Sequence, residues 1–166
     1  METSLDRLRE LTLALEASEE REKASQVRLA TALKVANAGM WDWSVDDDLL
    51  LWDETMMHLF GYNTAMYVAR EDGLYEMKYD DFISRVHPED RERVQSQVNA
   101  CLEDRVSYST AYRVVWECNG VLCTSLLIHA AGDVVEHNGK VSRLVGICIP
   151  GRGVADNLPP HDPTML

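Results

Sequence analysis

Long apolar runs are missing from these 166 residues: no window approaches the roughly 20 that span a bilayer as a helix. Basic residues are also scarce, 16 Lys and Arg against 28 Asp and Glu, for a net charge of −12 and a pI near 4.7. Such a surface repels phosphate backbones and anionic lipid, which argues against nucleic-acid and membrane partners. The first residues, Met1-Glu2-Thr3-Ser4-Leu5-Asp6, lack the basic stretch and apolar core of a secretory signal. The four cysteines, Cys101, Cys118, Cys123 and Cys148, form no Cys-x-x-Cys pair and share no zinc spacing with a histidine. They read as reduced thiols of a cytoplasmic protein, because disulfides follow oxidising compartments. No Gly-x-Ser-x-Gly elbow and no phosphate-cradling glycine loop is present, so no catalytic cluster can be named. Asp46-Asp47-Asp48 lacks the alternating ligands and distant glutamate of a calcium loop and reads as a polar turn.

What remains is an ordinary globular composition, 46% apolar and 27% charged, in a chain long enough for one core. Three segments follow. Residues 1–36 contain neither Gly nor Pro and are rich in Leu, Ala, Glu and Arg, which predicts one helix over about 3–36 capped by Thr3 or Ser4. Leu8, Leu11 and Leu15 repeat at coiled-coil spacing, as do Leu29, Ala32 and Ala36, but the register between them passes through Ser18, Glu22 and Ser25. A continuous zipper wants apolar residues throughout, so the pattern predicts an adjustable two-helix contact, the alternative being a solvated helix packed against its own domain. Gly39 is expected to stop this helix.

Residues 37–149 are the expected globular domain. Trp41, Trp43 and Val45 alternate with Asp42 and Ser44 as in a half-buried strand, with a short return strand at 49–52. Asp53 can cap a short helix closed by Gly61. Residues 62–80 read as turns with one short helix, and Phe82, Ile83 and Val86 as a further helical turn. Pro88 suits the first turn of a helix running to Leu102. Three strands follow, over 108–116, 121–130 and 141–149, with turns at Asn119-Gly120 and Asn138-Gly139. The order predicts an antiparallel α+β domain. Residues 150–166 hold four of the five prolines and read as a flexible tail or linker.

The stretches Ala36-Asn37-Ala38-Gly39-Met40-Trp41-Asp42-Trp43, Leu59-Phe60-Gly61-Tyr62 and Val86-His87-Pro88-Glu89-Asp90-Arg91 carry a resemblance. So do Tyr112-Arg113-Val114 before Asn119-Gly120, and Gly139-Lys140 before Val145-Gly146-Ile147. In this order they resemble the PAS (Per-Arnt-Sim) family, in its bacterial sensor branch. The resemblance implies a five-stranded antiparallel sheet with short helices on one face, a cavity between the layers, and a preceding signalling helix. It further implies a homodimer through the N-terminal helix and the sheet, an effector domain or partner protein, and no catalysis by the module itself. Family members often end the last strand with Asp-Ile-Thr. Here it ends Cys148-Ile149-Pro150-Gly151, a poor helix start, which shifts the expected signal path to the N-terminal helix.

The candidate cavity lining is Trp43, Met57, Phe60, Phe82, Val86, Tyr112, Val114, Leu126, Ile128 and Ile147. Its occupant is left open: nothing, a non-covalent small molecule, FAD stacked on Trp41 and Trp43, or a haem held by an inward histidine such as His58 or His129. The alternative for the tryptophans is that one packs the core and the other covers the sheet. Cysteinyl–flavin photochemistry is not expected, since residues 79–86, where the photoreceptor branch carries its reactive cysteine, contain none.

Overall fold

In a computed structural model, residues 4–118 and 121–151 are described. The expected turn at Asn119-Gly120, the Thr3 cap, His161 and all of the tail beyond Gly151 lie outside them. Two compact units divide the chain after Ala36. The first is α1 (Ser4–Val35), a single helix. Its Leu8, Leu11, Leu15, Leu29, Ala32 and Ala36 are all exposed. The helix ends on Asn37, not on Gly39: Asn37 adopts φ 49°, the left-handed stop, while Gly39 already begins the first strand. Gly39 serves packing instead, because a Cβ there would sit 2.6 Å from Met56 Cγ.

In the second unit the elements are β1 (Gly39–Ser44), β2 (Leu49–Trp52), α2 (Glu54–Leu59), a 3₁₀ turn (Thr64–Met66), β3 (Tyr75–Met77), α3 (Tyr79–Arg85), α4 (Pro88–Asp104), β4 (Tyr108–Cys118), β5 (Val121–His137) and β6 (Lys140–Pro150). The strands form one antiparallel sheet in the order β3-β2-β1-β6-β5-β4. The sheet therefore has six strands, not five. The added strand, β3, pairs Tyr75 with Trp52 and Met77 with Leu50; three residues are too few to display an alternating pattern in sequence.

Local chemistry explains the helix starts. The Asp53 carboxylate accepts from Met56 N–H at 2.8 Å and caps α2. His87 Nδ1 accepts from Glu89 N–H at the head of α4, where Pro88 occupies the first turn. Asp90, one turn in, accepts from Arg113 N–H at 2.9 Å and from its guanidinium at 3.0 Å, while His87 N–H donates to Arg113 O at 2.8 Å. The His-Pro-Glu-Asp turn is thus tied to β4. Asn138 and Gly139, both at positive φ, close the β5–β6 hairpin. β6 continues through Pro150, and Gly151 N–H donates to Leu127 O at 2.7 Å, so the ordered domain extends past residue 149.

Helix α2 packs on β1 and β2, α3 on β4, and α4 on β4 and β5. Between them and the sheet lies a single apolar cluster with Trp52, Met57, Phe60 and Ile128 fully buried at its centre.

Candidate functional site

Strand parity decides what reaches the inner layer. Trp41 and Trp43 are two residues apart on β1, so both face inward, and neither covers the outer face. The Trp41 ring extends over β6 and β5, where the residues beneath it lack side chains. Trp41 pairs with Gly146 on β6, which pairs in turn with Gly132 on β5. A Cβ on Gly146 would stand 2.4 Å from Trp41 Cζ2, and one on Gly132 2.6 Å from its Cη2. The two glycines make the floor on which the indole rests.

Beside that indole is a cavity of about 40 Å³. Its walls are Trp41 and Trp43 from β1, Leu50 and Trp52 from β2, Met56 from α2, Tyr79 and Phe82 from α3, Val98 from α4, Tyr108 and Tyr112 from β4, and Leu144 and Cys148 from β6. Trp43, half-buried, stacks on Tyr79 with ring centres 4.8 Å apart. Asp48 pins both: its carboxylate accepts from Trp43 Nε1 at 3.2 Å and from Tyr79 N–H at 3.1 Å.

The polar ends of the deeper wall residues gather near one sulfur. Tyr112 Oη lies 3.5 Å from Cys148 Sγ, and Trp41 Nε1 faces the same thiol without the geometry of a hydrogen bond. Trp41 Nε1 and Tyr108 Oη are buried side-chain polar atoms with no hydrogen-bond partner. The side chains carrying them are 7% and 5% exposed. Burial pushes the Cys148 thiol up to about 12 and the Tyr108 and Tyr112 hydroxyls well above their ordinary range. At neutral pH the cluster therefore carries no charge, and Cys148 is a thiol, not a thiolate nucleophile.

Of the residues singled out from sequence, Trp43, Phe82 and Tyr112 stand on the cavity wall. Met57, Phe60, Val86, Val114, Leu126 and Ile128 are buried in the core away from it. There Phe60 packs on Trp52 at 4.7 Å and on Phe82 at 5.9 Å, behind the cavity wall. Ile147 requires correction. It is 38% exposed on the opposite face of the sheet, since Leu144 and Cys148 take the inward positions of β6. There, with Ile149, it lines a shallow groove of about 370 Å³ together with His129 and Ala131. Sequence reading named Trp41 only as a possible stacking partner for a flavin and did not place Leu50, Trp52, Met56, Tyr79, Val98, Tyr108, Leu144 or Cys148 on the wall. The glycines at 132 and 146, inside strands, were the available signal for a flat aromatic opposite them.

Two cofactors associated with such folds can be tested against this wall. A space of about 40 Å³ is far short of what a flavin ring system or a porphyrin needs. Among the described residues no histidine lines it: His58 is exposed on α2, His129 is exposed on the outer groove, and His87 caps α4. The residues present fit neither FAD nor haem in this arrangement. No group of three or more His, Cys, Asp or Glu with metal-site placement occurs among the described residues.

With the geometry in place, comparison with known proteins is decisive for family. Residues 49–148 match the PAS fold. The chain belongs to the PAS family. A sensory box histidine kinase/response regulator of Burkholderia thailandensis E264 is 26% identical, with a TM-score of 0.58 over 74% of this chain and 83% of that one. The N-terminal domain of a diguanylate cyclase with PAS/PAC sensor from Marinobacter aquaeolei is 21% identical, with a TM-score of 0.54 over 68% and 94%. A PAS domain from Colwellia psychrerythraea, 14% identical, aligns at 0.51 over 76% and 96% and shares the fold. No curated protein matches the chain. Among the described residues no helix of this PAS protein is long and apolar enough to cross a membrane.

Proposed function

We propose that this PAS domain is the sensing module of a cytoplasmic signal-transduction protein. A small molecule in the cavity beneath Trp41 shifts the packing of the flanking helix α1, which reports to an effector domain or partner. The observation that carries the reading is an apolar cavity walled by residues of the domain's three helices and four of its strands. A cavity shared by so many elements couples its occupant to their relative positions, and a ligand shifts an equilibrium only by binding one arrangement better. The similar histidine kinase and diguanylate cyclase proteins support an effector of that signalling kind. The exposed leucines of α1, interrupted by Ser18, Glu22 and Ser25, support a second copy as its partner, with the outer groove at Ile147 and Ile149 as an added face.

Native mass spectrometry of the purified protein tests the reading. A bound small molecule, or one from a metabolite panel that raises the melting temperature and alters self-association, supports it. A second reading, an interaction domain without ligand, is favoured by the small size of the cavity. It expects no bound mass and no thermal shift with any panel member.

A further inference from the structure

Nine of the twelve residues on the cavity wall are buried, and the three that are not, Trp43, Tyr79 and Phe82, adjoin one another. Trp43 stacks on Tyr79 at 4.8 Å, and Tyr79 meets Phe82 edge-on at 5.6 Å. Solvent therefore comes nearest to the cavity across this one row of rings. The row is not held evenly. Phe82 is anchored from within, against Phe60 at 5.9 Å and Tyr112 at 5.7 Å. Trp43 and Tyr79 belong to different elements, β1 and the head of α3, and are joined by their stack and by one atom. That atom is Asp48 Oδ1, which accepts from Trp43 Nε1 at 3.2 Å and from Tyr79 N–H at 3.1 Å. Both distances lie toward the long end of the hydrogen-bond range. Tyr79 N–H is the first amide of α3, one of the donors a helix leaves unsatisfied at its start. Its acceptor arrives from the β1–β2 turn, 31 residues away in the chain.

We propose that Trp43 and Tyr79 are a lid over the mouth of the cavity and that Asp48 is its latch, so that a ligand enters by parting the two rings and releasing both bonds to the carboxylate. The proposal rests on the sensing role above and adds its route of entry and its control. Moving any buried wall residue leaves a void in the core, which is costly. Moving Trp43 and Tyr79 outward breaks one stack and two hydrogen bonds and leaves the core behind Phe82 intact. Opening also takes the acceptor from the first amide of α3, the helix that packs on β4. A ligand too large for the closed space would hold the lid open and leave the head of α3 uncapped, so its size is felt at α3 and β4.

The test uses the full chain and xenon, an apolar atom that enters dry cavities. Methyl NMR at Leu50, Met56 and Leu144 reads the dissociation constant, and saturation transfer on hyperpolarised xenon reads the exit rate. Asp48→Gly removes the carboxylate and is at ease at the φ of 47° found there. Asp48→Asn keeps a carbonyl oxygen in the same place and tolerates the same φ. Trp43→Phe keeps a ring over Tyr79, loses the bond to Asp48, and reads the same latch if the turn variant does not fold. Asp48→Gly is expected to speed xenon exit by about ten-fold or more, as the loss of two weak hydrogen bonds implies, and Trp43→Phe to speed it less. Asp48→Asn is expected to stay within about two-fold of wild type, because the acceptor is retained. The dissociation constant should stay within about three-fold throughout, since the closed form remains the populated one. Exit left unchanged by Asp48→Gly and Trp43→Phe, or as fast in Asp48→Asn as in Asp48→Gly, overturns the latch and leaves the sensing cavity standing. So does an affinity that falls in step with the rise in exit rate, because Asp48 then shapes the cavity and not its mouth. Xenon that perturbs no wall methyl in wild type overturns the latch and removes the ligand cavity from the sensing role as well.

Discussion

Leu11 of α1 and Leu144 of β6 are the same side chain in opposite circumstances, 61% exposed in one and 2% in the other. Around Leu144 the sheet and three helices close a core that needs no partner. Around Leu11 nothing within the helix can cover a leucine row, because a single helix has no inside. The first unit is regular by propensity, the second by packing. The core residues of the second have their burial energy already realised on folding, while the leucines of α1 remain available for an encounter.

Substitutions sharpen that contrast, beginning with the largest effect. Trp52→Ala removes a fully buried indole that packs on Phe60 and Tyr62 and is expected to lower unfolding stability by about 3–5 kcal/mol. Leu144→Ala should cost about 2–5 kcal/mol. Both are read as a lower urea midpoint with an unchanged slope; a loss below about 1 kcal/mol in either would mean that the core tolerates voids it should not.

Next comes the tie between the His-Pro-Glu-Asp turn and β4. The Arg113 guanidinium beside Asp90 holds its carboxyl well below the usual carboxylate range, with the Arg113 N–H adding to the effect. Asp90→Asn is expected to cost about 1.5–3 kcal/mol, toward the lower end because Arg113 is partly solvated. The sign with pH follows from linkage. Asp90 has a folded-state pKa depressed below its ordinary 3.8, so its contribution is present above that value and fades as pH falls through the folded one. Urea melts should show a constant gap between wild type and Asp90→Asn from about pH 5 to 8 that narrows below about pH 4. A gap that stays constant into acid would mean that the charge on Asp90 is not what anchors the turn.

Much of this architecture was legible because each signal was local. The Asp53 cap, the Pro88 helix start and the Asn138-Gly139 hairpin each rest on neighbouring residues, and each formed as its chemistry dictates. The helix stop at Asn37 was misplaced by two residues because glycine is the commoner left-handed residue, yet Gly39 was claimed by Met56. Strand β3 escaped notice because its evidence is a pairing with β2, not a pattern of its own. The site was less legible than the fold. Hydrophobicity nominated Ile147, whereas strand phase set by Leu144 and Cys148 turned it outward. The unpaired state of Trp41 Nε1 and Tyr108 Oη depends on what surrounds them in space, and no sequence spacing encodes that.

Those orphans supply a prediction of opposite sign. Without ligand, the Tyr108 hydroxyl is buried and unbonded, a state that costs about 1–3 kcal/mol. Tyr108→Phe should therefore raise the stability of the ligand-free protein by about 1 kcal/mol, visible as a higher urea midpoint. A destabilised variant would mean that the hydroxyl already has a partner in solution.

The smallest expected effect on folding lies on α1 and tests the contrast most directly. Leu11→Ala and Leu29→Ala remove exposed side chains, so the unfolding midpoint of the sheet domain should move by no more than about 0.5 kcal/mol. Self-association should respond far more strongly, because a paired seam buries these leucines against a partner. On the proposed pairing of α1 with a second copy, sedimentation velocity is expected to show wild type as dimer and the double substitution shifted toward monomer. Replacing Ser18, Glu22 and Ser25 by leucine should do the reverse and lock the pair, since it removes the polar interruption that keeps the seam adjustable. If association tightens as expected and the response to a cavity ligand disappears with it, the adjustability of the seam is what carries the signal. If the ligand response survives in the locked pair, the signal leaves the sheet domain by another route, and the division of labour between the two units must be redrawn.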